Sequence, residues 1–376
     1  MIRPFALRAA LVALTALWMV ACAGNHTTPD GAAAALTSVA PPLSLTDAQT
    51  PRVGTVYSNL YVANGGANTV TIYKPNSKSV FRTISKGMHS PSSMALDDTG
   101  KLYVLNCFGC YSKEGFVTIY KALTGKLLQT IPSLATPTAI ATDSNGHLFV
   151  ADFTDNAVDI FDSKSSKPVR VITQGVFAPD ALAVDSKNNV YVANCGPVCL
   201  KGHTGSVTVY DAGKLTVSRT ISQGIVDPNR LLVDRKDDLY VLNYGNGDFS
   251  NFIASVGVFA PGKNVPYEQY DQDLAGPGAI AVSASSSLFV TNCAYFCEYG
   301  SYTGWVTAYA DGKTASPRKI SQGVSTPTAL AVGPSSYLFV ANSYLNNVQV
   351  YAPGSGSVFR TISEGVSYPN ALLFGP

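Results

Sequence analysis

The sequence predicts an all-β fold, one seven-bladed propeller of four-stranded blades over residues 56–376, and three observations carry that expectation. A strand-like run recurs seven times: LYVAN from residue 60, LYVLN from 102, LFVAD from 148, VYVAN from 190, LYVLN from 239, LFVTN from 288 and LFVAN from 338. The spacing of 42 to 50 residues is the length of one propeller blade. The body also lacks an inner strand ahead of Leu60 and finishes on one, YPNALLFG (Tyr368–Gly375), with no partner after it. In a closed ring the last strand completes the first blade, whereas an open stack leaves a raw edge at each end.

The segments ahead of the body come first in chain order. Arg3 and Arg8 precede an uncharged apolar stretch, Ala9–Val20, which is too short for a membrane span and reads as a signal peptide over residues 1–21. It runs into MVAC (Met19–Cys22) followed by Ala23 and Gly24, which resembles a bacterial lipobox with Met19 where Leu is usual. That resemblance implies lipidation at Cys22, and residues 22–55, rich in Ala, Thr, Pro and Ser, read as a flexible tether. The expected address is therefore outside the cytoplasm. The chain would be lipid-anchored to a membrane of a bacterial cell envelope, on its periplasmic or extracellular side, where disulfides persist. Arg3 and Arg8 leave with the leader, so 24 of the 26 basic residues face 24 acidic ones. A body without net charge argues against nucleic acid as the partner.

Each blade then follows one plan, with strands A to D from inside to outside. Strand A is a proline-led run such as SPSSMALD (Ser90–Asp97), APDALAVD (Ala178–Asp185) or TPTALAVG (Thr326–Gly333). Strand B is the recurring apolar run, whose alternating, β-branched and aromatic content marks it as a strand. Strand C is VTIY at 70 and 117, VDIF at 158, VTVY at 207, VGVF at 256, VTAY at 306 and VQVY at 348. Strand D is a more polar run such as VFRTIS at 80 and 358. The pattern P-x-A-L-A-V-D, G-x-L-Y-V-A-N, N-x-V-x-V-Y resembles the NHL-repeat and YncE-like bacterial seven-bladed propellers over the whole body. The resemblance implies the fold. It leaves function open, because those relatives include scaffolds, ligand binders, lactonases and virginiamycin B lyases.

Three cysteine pairs, Cys107/Cys110, Cys195/Cys199 and Cys293/Cys297, stand at the roots of long B–C loops in blades 2, 4 and 6. Local disulfides that pin those loops are the expected state, each contributing roughly 2 kcal/mol in the chain-entropy model. A redox role for Cys107 and Cys110 or a shared metal site are the competing readings. Haem attachment fails because Tyr111 follows Cys110 where a His is required. Zinc would need two pairs to meet across alternate blades.

Two candidate sites share one face. The long B–C loops carry Phe108, Tyr111, Tyr244, Phe249, Tyr295, Phe296, Tyr302 and Trp305 among Gly, Ser and Asn, a composition suited to recognising a glycan, peptide or protein. At the channel mouth, the residue after each strand-A proline forms a polar ring that includes Asp180, Asn229 and Asn370, and Arg230 stands where other blades have Ala or Ser. The Asn or Asp ending every strand B (Asn64, Asn106, Asp152, Asn194, Asn243, Asn292, Asn342) reads as a turn-maker and not a metal ring, because a role repeated in all seven blades belongs to the fold. No catalytic residue, metal or cofactor is assigned. The four His residues do not cluster, and Glu114 and Glu298 lie far out in loops. A binding or scaffold module is the expectation, with a metal-assisted lyase or lactonase at the channel mouth as the alternative.

Overall fold

A computed structural model describes residues 59–106, 115–162, 164–195, 205–245, 254–293, 302–310, 314 and 316–376. Among these described residues, twenty-eight strands form seven antiparallel sheets of four. Six blades use consecutive strands: β4–β7 within 91–134, β8–β11 within 137–172, β12–β15 within 179–221, β16–β19 within 228–270, β20–β23 within 277–320 and β24–β27 within 327–362. Blade 1 joins the two ends of the body. Strand β28 (Pro369–Gly375) pairs with β1 (Asn59–Asn64), which continues to β2 (Thr69–Tyr73) and β3 (Arg82–Ile84). Asn59 and Tyr61 both donate to the Pro376 carbonyl, at 2.5 and 3.1 Å, and fasten that closure. The ring is therefore closed as the repeat phase requires.

Apolar residues on both faces of each sheet seal the ring. Ala139, Ala151 and Val158 of blade 3 pack against Leu182, Val192 and Tyr210 of blade 4. The same pattern joins Leu242 and Val256 of blade 5 to Ile280 and Val290 of blade 6. One larger cluster runs continuously from blade 7 through blade 1 to blade 2. Tyrosines at the ends of five C strands add a polar tie beneath five of the seven seams. Tyr73, Tyr120, Tyr210 and Tyr351 donate to the carbonyls of Glu364, Lys86, Gln174 and Gln322 at 2.5 to 2.7 Å, and Tyr309 donates to that of Gln272. Phe161 and Phe259 hold this position in blades 3 and 5 and make no such bond.

Strand D is shorter than the VFRTIS run suggests. In blades 1, 3, 4, 5 and 6 it spans three residues, such as Arg82–Ile84. Phe81 is 41 % exposed and Phe359 59 %, so the outer strand has little to bury and pairs only where strand C offers a ladder. Short outer strands also limit edge-to-edge association.

The seven terminal Asn and Asp residues of strand B serve the fold, but six of the seven bond to the incoming D–A connection and not to the turn that follows them. Asn106 Nδ2 donates to the Val104 carbonyl and to Thr118 Oγ1, while its Oδ1 accepts from the His89 amide, which leads into the same blade. Asn64, Asn194, Asn243, Asn292 and Asn342 repeat this acceptance from Ser367, Phe177, Val226, Ala275 and Ser325. Each therefore ties the B–C side of a blade to the incoming D–A connection, and these two kinds of segment share one face. On the opposite face, Asp97, Asp143, Asp185 and Asp234 close the A–B turns by accepting amides two and four residues ahead.

Candidate functional site

The mouth of the channel is built by a backbone device repeated around the ring. The residue ahead of the strand-A proline adopts positive φ in six blades, including Ala178 (44°), Asp227 (53°) and Thr326 (50°). A β-bulge follows just after the proline in every strand A. Bulges re-aim one side chain out of the alternation, and here the re-aimed residue turns toward the next blade. Thr138 donates to the Pro179 carbonyl at 2.7 Å, Thr328 to Pro369 at 2.6 Å and Asn370 to Pro91 at 3.0 Å. These bonds link blade 3 to 4, blade 7 to 1 and blade 1 to 2. Ser92 is shorter and bonds back to Leu105 in its own sheet.

The linkage is interrupted across blades 4, 5 and 6. Blade 4 has Asp180, whose ionised carboxylate has no proton to donate to a carbonyl. Blade 5 has Asn229, only 4 % exposed, and neither its Oδ1 nor its Nδ2 has a hydrogen-bond partner among the described residues. Asn370 shows what an asparagine does here when it serves the fold, so Asn229 departs from its own repeat. Blade 6 has Gly278, where an added Cβ would lie 4.0 Å from the Pro327 carbonyl of blade 7. The geometry for a link exists in blade 6, but the side chain does not.

Charges gather on this same arc. Arg230 is 2 % exposed and its Nη1 donates to the Asn229 carbonyl at 2.5 Å. The other blades have Ala here, or Ser93 in blade 2, and Ala181 and Ala329 pack into the apolar seam. Asp180 is half-buried. That burial lifts its carboxyl to about 6, and the nearby Arg230 charge restrains the rise. Asp227 is lifted to about 7, first by burial and then by the charge of Asp180. Its Oδ1 lies 3.2 Å from Cys195 Sγ, and its carbonyl accepts the Tyr244 amide at 2.9 Å. Asp227 is a site residue that repeat reading passes over, because it precedes the proline. Its signal is that it is the one acid among the seven pre-proline residues.

The aromatic candidates divide. Phe108, Tyr111, Phe249, Tyr295 and Phe296 lie outside the described residues, as do Cys22, Cys107, Cys110, Cys199 and Cys297. Tyr244 stands beside the mouth through its bond to Asp227. Tyr302 stacks on Tyr344 with ring centroids 3.8 Å apart, and its carbonyl accepts from Ser325. Trp305 is engaged in the fold: its Nε1 donates to the Asp273 carbonyl and Thr307 Oγ1, and Lys319 Nζ sits 3.8 Å over its ring. Asn370 joins blades 1 and 2, so of the four predicted mouth residues Asp180, Asn229 and Arg230 come together and Asn370 stands apart with a structural bond. Among the described residues no group of three His, Cys, Asp or Glu is placed to hold a metal ion.

No family model matches the chain. No curated protein matches it either. Among solved structures it is similar to hydrazine synthase of Kuenenia stuttgartiensis, at 15 % identity and a TM-score of 0.63, over 77 % of this chain and 93 % of that one. A putative 6-phosphogluconolactonase from Bacteroides uniformis ATCC 8492 aligns at 13 % identity and a TM-score of 0.62, over 85 % of this chain and 100 % of that one. Another from Bacteroides fragilis NCTC 9343 aligns at 15 % identity and 0.62, over 86 % and 99 %. At such identities the likeness establishes the propeller fold alone.

Proposed function

We propose that this chain is an exported, lipid-anchored binding propeller that recognises its ligand on the face shared by the B–C loops and the D–A connections. The observation that carries this reading is the interrupted arc of blades 4 to 6. There a buried asparagine amide is left without a partner beside Arg230 and two acids. Burying such groups costs about 1–3 kcal/mol each when they stay unsatisfied, a cost the fold avoids at Thr138, Thr328 and Asn370. Groups held this way suit contact with something outside the chain. The test is an array of glycans, peptides and envelope proteins probed with the mature protein. Reproducible capture of one class supports the proposal, whereas a blank array beside an active esterase or lyase panel overturns it.

The cysteine pairs belong to the same proposal as local staples of the recognition loops, paired 107–110, 195–199 and 293–297. Non-reducing peptide mapping with metal analysis of the same sample should return three local disulfides without metal. Free thiols or stoichiometric metal would reject the staples. Mass spectrometry of the N-terminal peptide tests the lipid on Cys22.

A second reading is a metal-assisted lyase or lactonase at the mouth. Asp180 and Asp227, near 6 and 7, lie in the range a general base requires, and the two Bacteroides neighbours carry a lactonase name. Under this reading Arg230→Ala lowers turnover of a lactone or lyase substrate.

A further inference from the structure

We infer that the arc of the channel mouth formed by Asp180, Asp227 and Asn229, with Arg230 beneath, binds an uncharged saccharide. The inference rests on the binding reading above and names its ligand class.

Charge balance excludes the simpler ligands. Among the described residues the arc holds one fixed cation, Arg230, and two acids. An anion drawn to the guanidinium meets carboxylates on the same arc, and a cation drawn to the acids meets the buried Arg230. A hydroxyl both donates and accepts, so it suits every group present. Carboxylate oxygens accept from hydroxyls, a guanidinium donates to them, and a primary amide offers one acceptor beside two donors. Asn229 holds both kinds of atom buried and without a protein partner, and two neighbouring hydroxyls of a sugar ring would satisfy both. The lift of Asp180 to about 6 and Asp227 to about 7 keeps the net charge of the arc small near neutrality. That condition favours an uncharged ligand over a uronate.

Continuity supports the same assignment. Gly278 extends the arc into blade 6 without a side chain, and a built Cβ there would press on Thr291 Oγ1 at 3.3 Å. Beside the arc, Tyr244 is fixed through its amide to the Asp227 carbonyl. At the positions equivalent to Asn229 in blades 3, 7 and 1, Thr138, Thr328 and Asn370 are already bonded to neighbouring carbonyls.

The repeat itself supplies variants that should fold. Asn229→Thr and Asp180→Thr install the residue that blades 3 and 7 use, and each new hydroxyl can donate to the following blade's proline carbonyl, Pro277 or Pro228. Glucose, N-acetylglucosamine, cellobiose and glucuronate would be titrated into the mature protein at pH 7 by saturation-transfer NMR and calorimetry. The expected result is binding of at least one neutral sugar, weakened about tenfold or more by either variant, with a melting temperature unchanged or raised. Glucuronate should bind the wild type about tenfold more weakly than its neutral counterpart. Binding untouched by both variants, or a preference for glucuronate, overturns the assignment. If no sugar registers at roughly 10 mM while the array captures a peptide or protein, the saccharide inference falls and the binding reading stands. If neither experiment finds a ligand, both fall.

Discussion

Asp159 offers a stringent test of the physical account because it breaks the repeat in the middle of a sheet. In blades 1, 2, 4 and 6 the central residue of strand C is a threonine, Thr71, Thr118, Thr208 or Thr307, bonded to the strand-B asparagine. Blade 3 places Asp159 there and Asp152 at the asparagine position, so two acids replace an amide and a hydroxyl. Asp152 accepts the amides of Ala135, Thr136 and Asp155. Asp159 is lifted to about 6, mainly by burial and then by the charges of Asp152 and Asp155. A lift from the ordinary 3.8 to about 6 would cost about 3 kcal/mol for a fully enclosed group. Asp159 is half-buried, and solvent screening reduces that to about 1 kcal/mol.

The sign follows from the raised folded-state value. The contribution of Asp159 is most favourable below pH 3.8 and is lost as pH rises through about 6. Asp159→Thr removes that loss and adds a hydroxyl facing Asp152, worth about 1 kcal/mol. The variant should therefore be more stable than wild type by about 2 kcal/mol at pH 8, with about 1 kcal/mol of that gain developing between pH 4 and 7. Thermal and urea unfolding of both proteins at unit pH steps reads this directly. Asp180 and Asp227 titrate nearby but are common to both proteins, so the difference isolates position 159. A gain constant across pH, or one that shrinks as pH rises, would refute the reasoning.

Three further outcomes follow from the same geometry. Phe259→Tyr should bring blade 5 into line with its neighbours by donating to the Gln223 carbonyl, raising stability by about 1 kcal/mol in urea unfolding. Asn292→Ala removes an acceptor for the Ala275 amide and donors to Val290 and Thr307; it should cost about 3 kcal/mol, read as an earlier midpoint at unchanged slope. Deleting residues 369–376 removes the inner strand of blade 1 and exposes the edge of β1. That chain should lose cooperative unfolding and associate in sedimentation, and a monomer with the original melting temperature would contradict the closed ring.

The fold was legible because each blade repeats the same short instruction. Alternating Leu, Tyr or Phe, Val and Ala give both sheet faces an apolar surface, and only stacking around a ring buries both. The terminal asparagines were legible too, because a residue needed in every blade is needed by the fold. The mouth was only partly legible. Periodicity marks Asp180, Asn229 and Asn370 as equivalent, but the bulge after each proline decides which carbonyl they reach. Nothing in the letters separates the bonded Asn370 from the unbonded Asn229. Asp227 was missed because its place at the mouth depends on a left-handed backbone at residue 227, and a pre-proline position favours extended conformations. Asp159 lay within VDIF, where strand content hid the substitution of a carboxylate for a hydroxyl.

The central claim is that the B–C and D–A face recognises a ligand around blades 4 to 6. Hydrogen exchange, measured with and without the best binder from the array, tests it most directly. Protection should appear in the D–A segments around 226–229 and 276–279, while the turns around 97–101, 143–147, 185–189 and 234–238 on the opposite face exchange as before. Protection confined to those opposite turns, or spread evenly over the ring, would contradict the account.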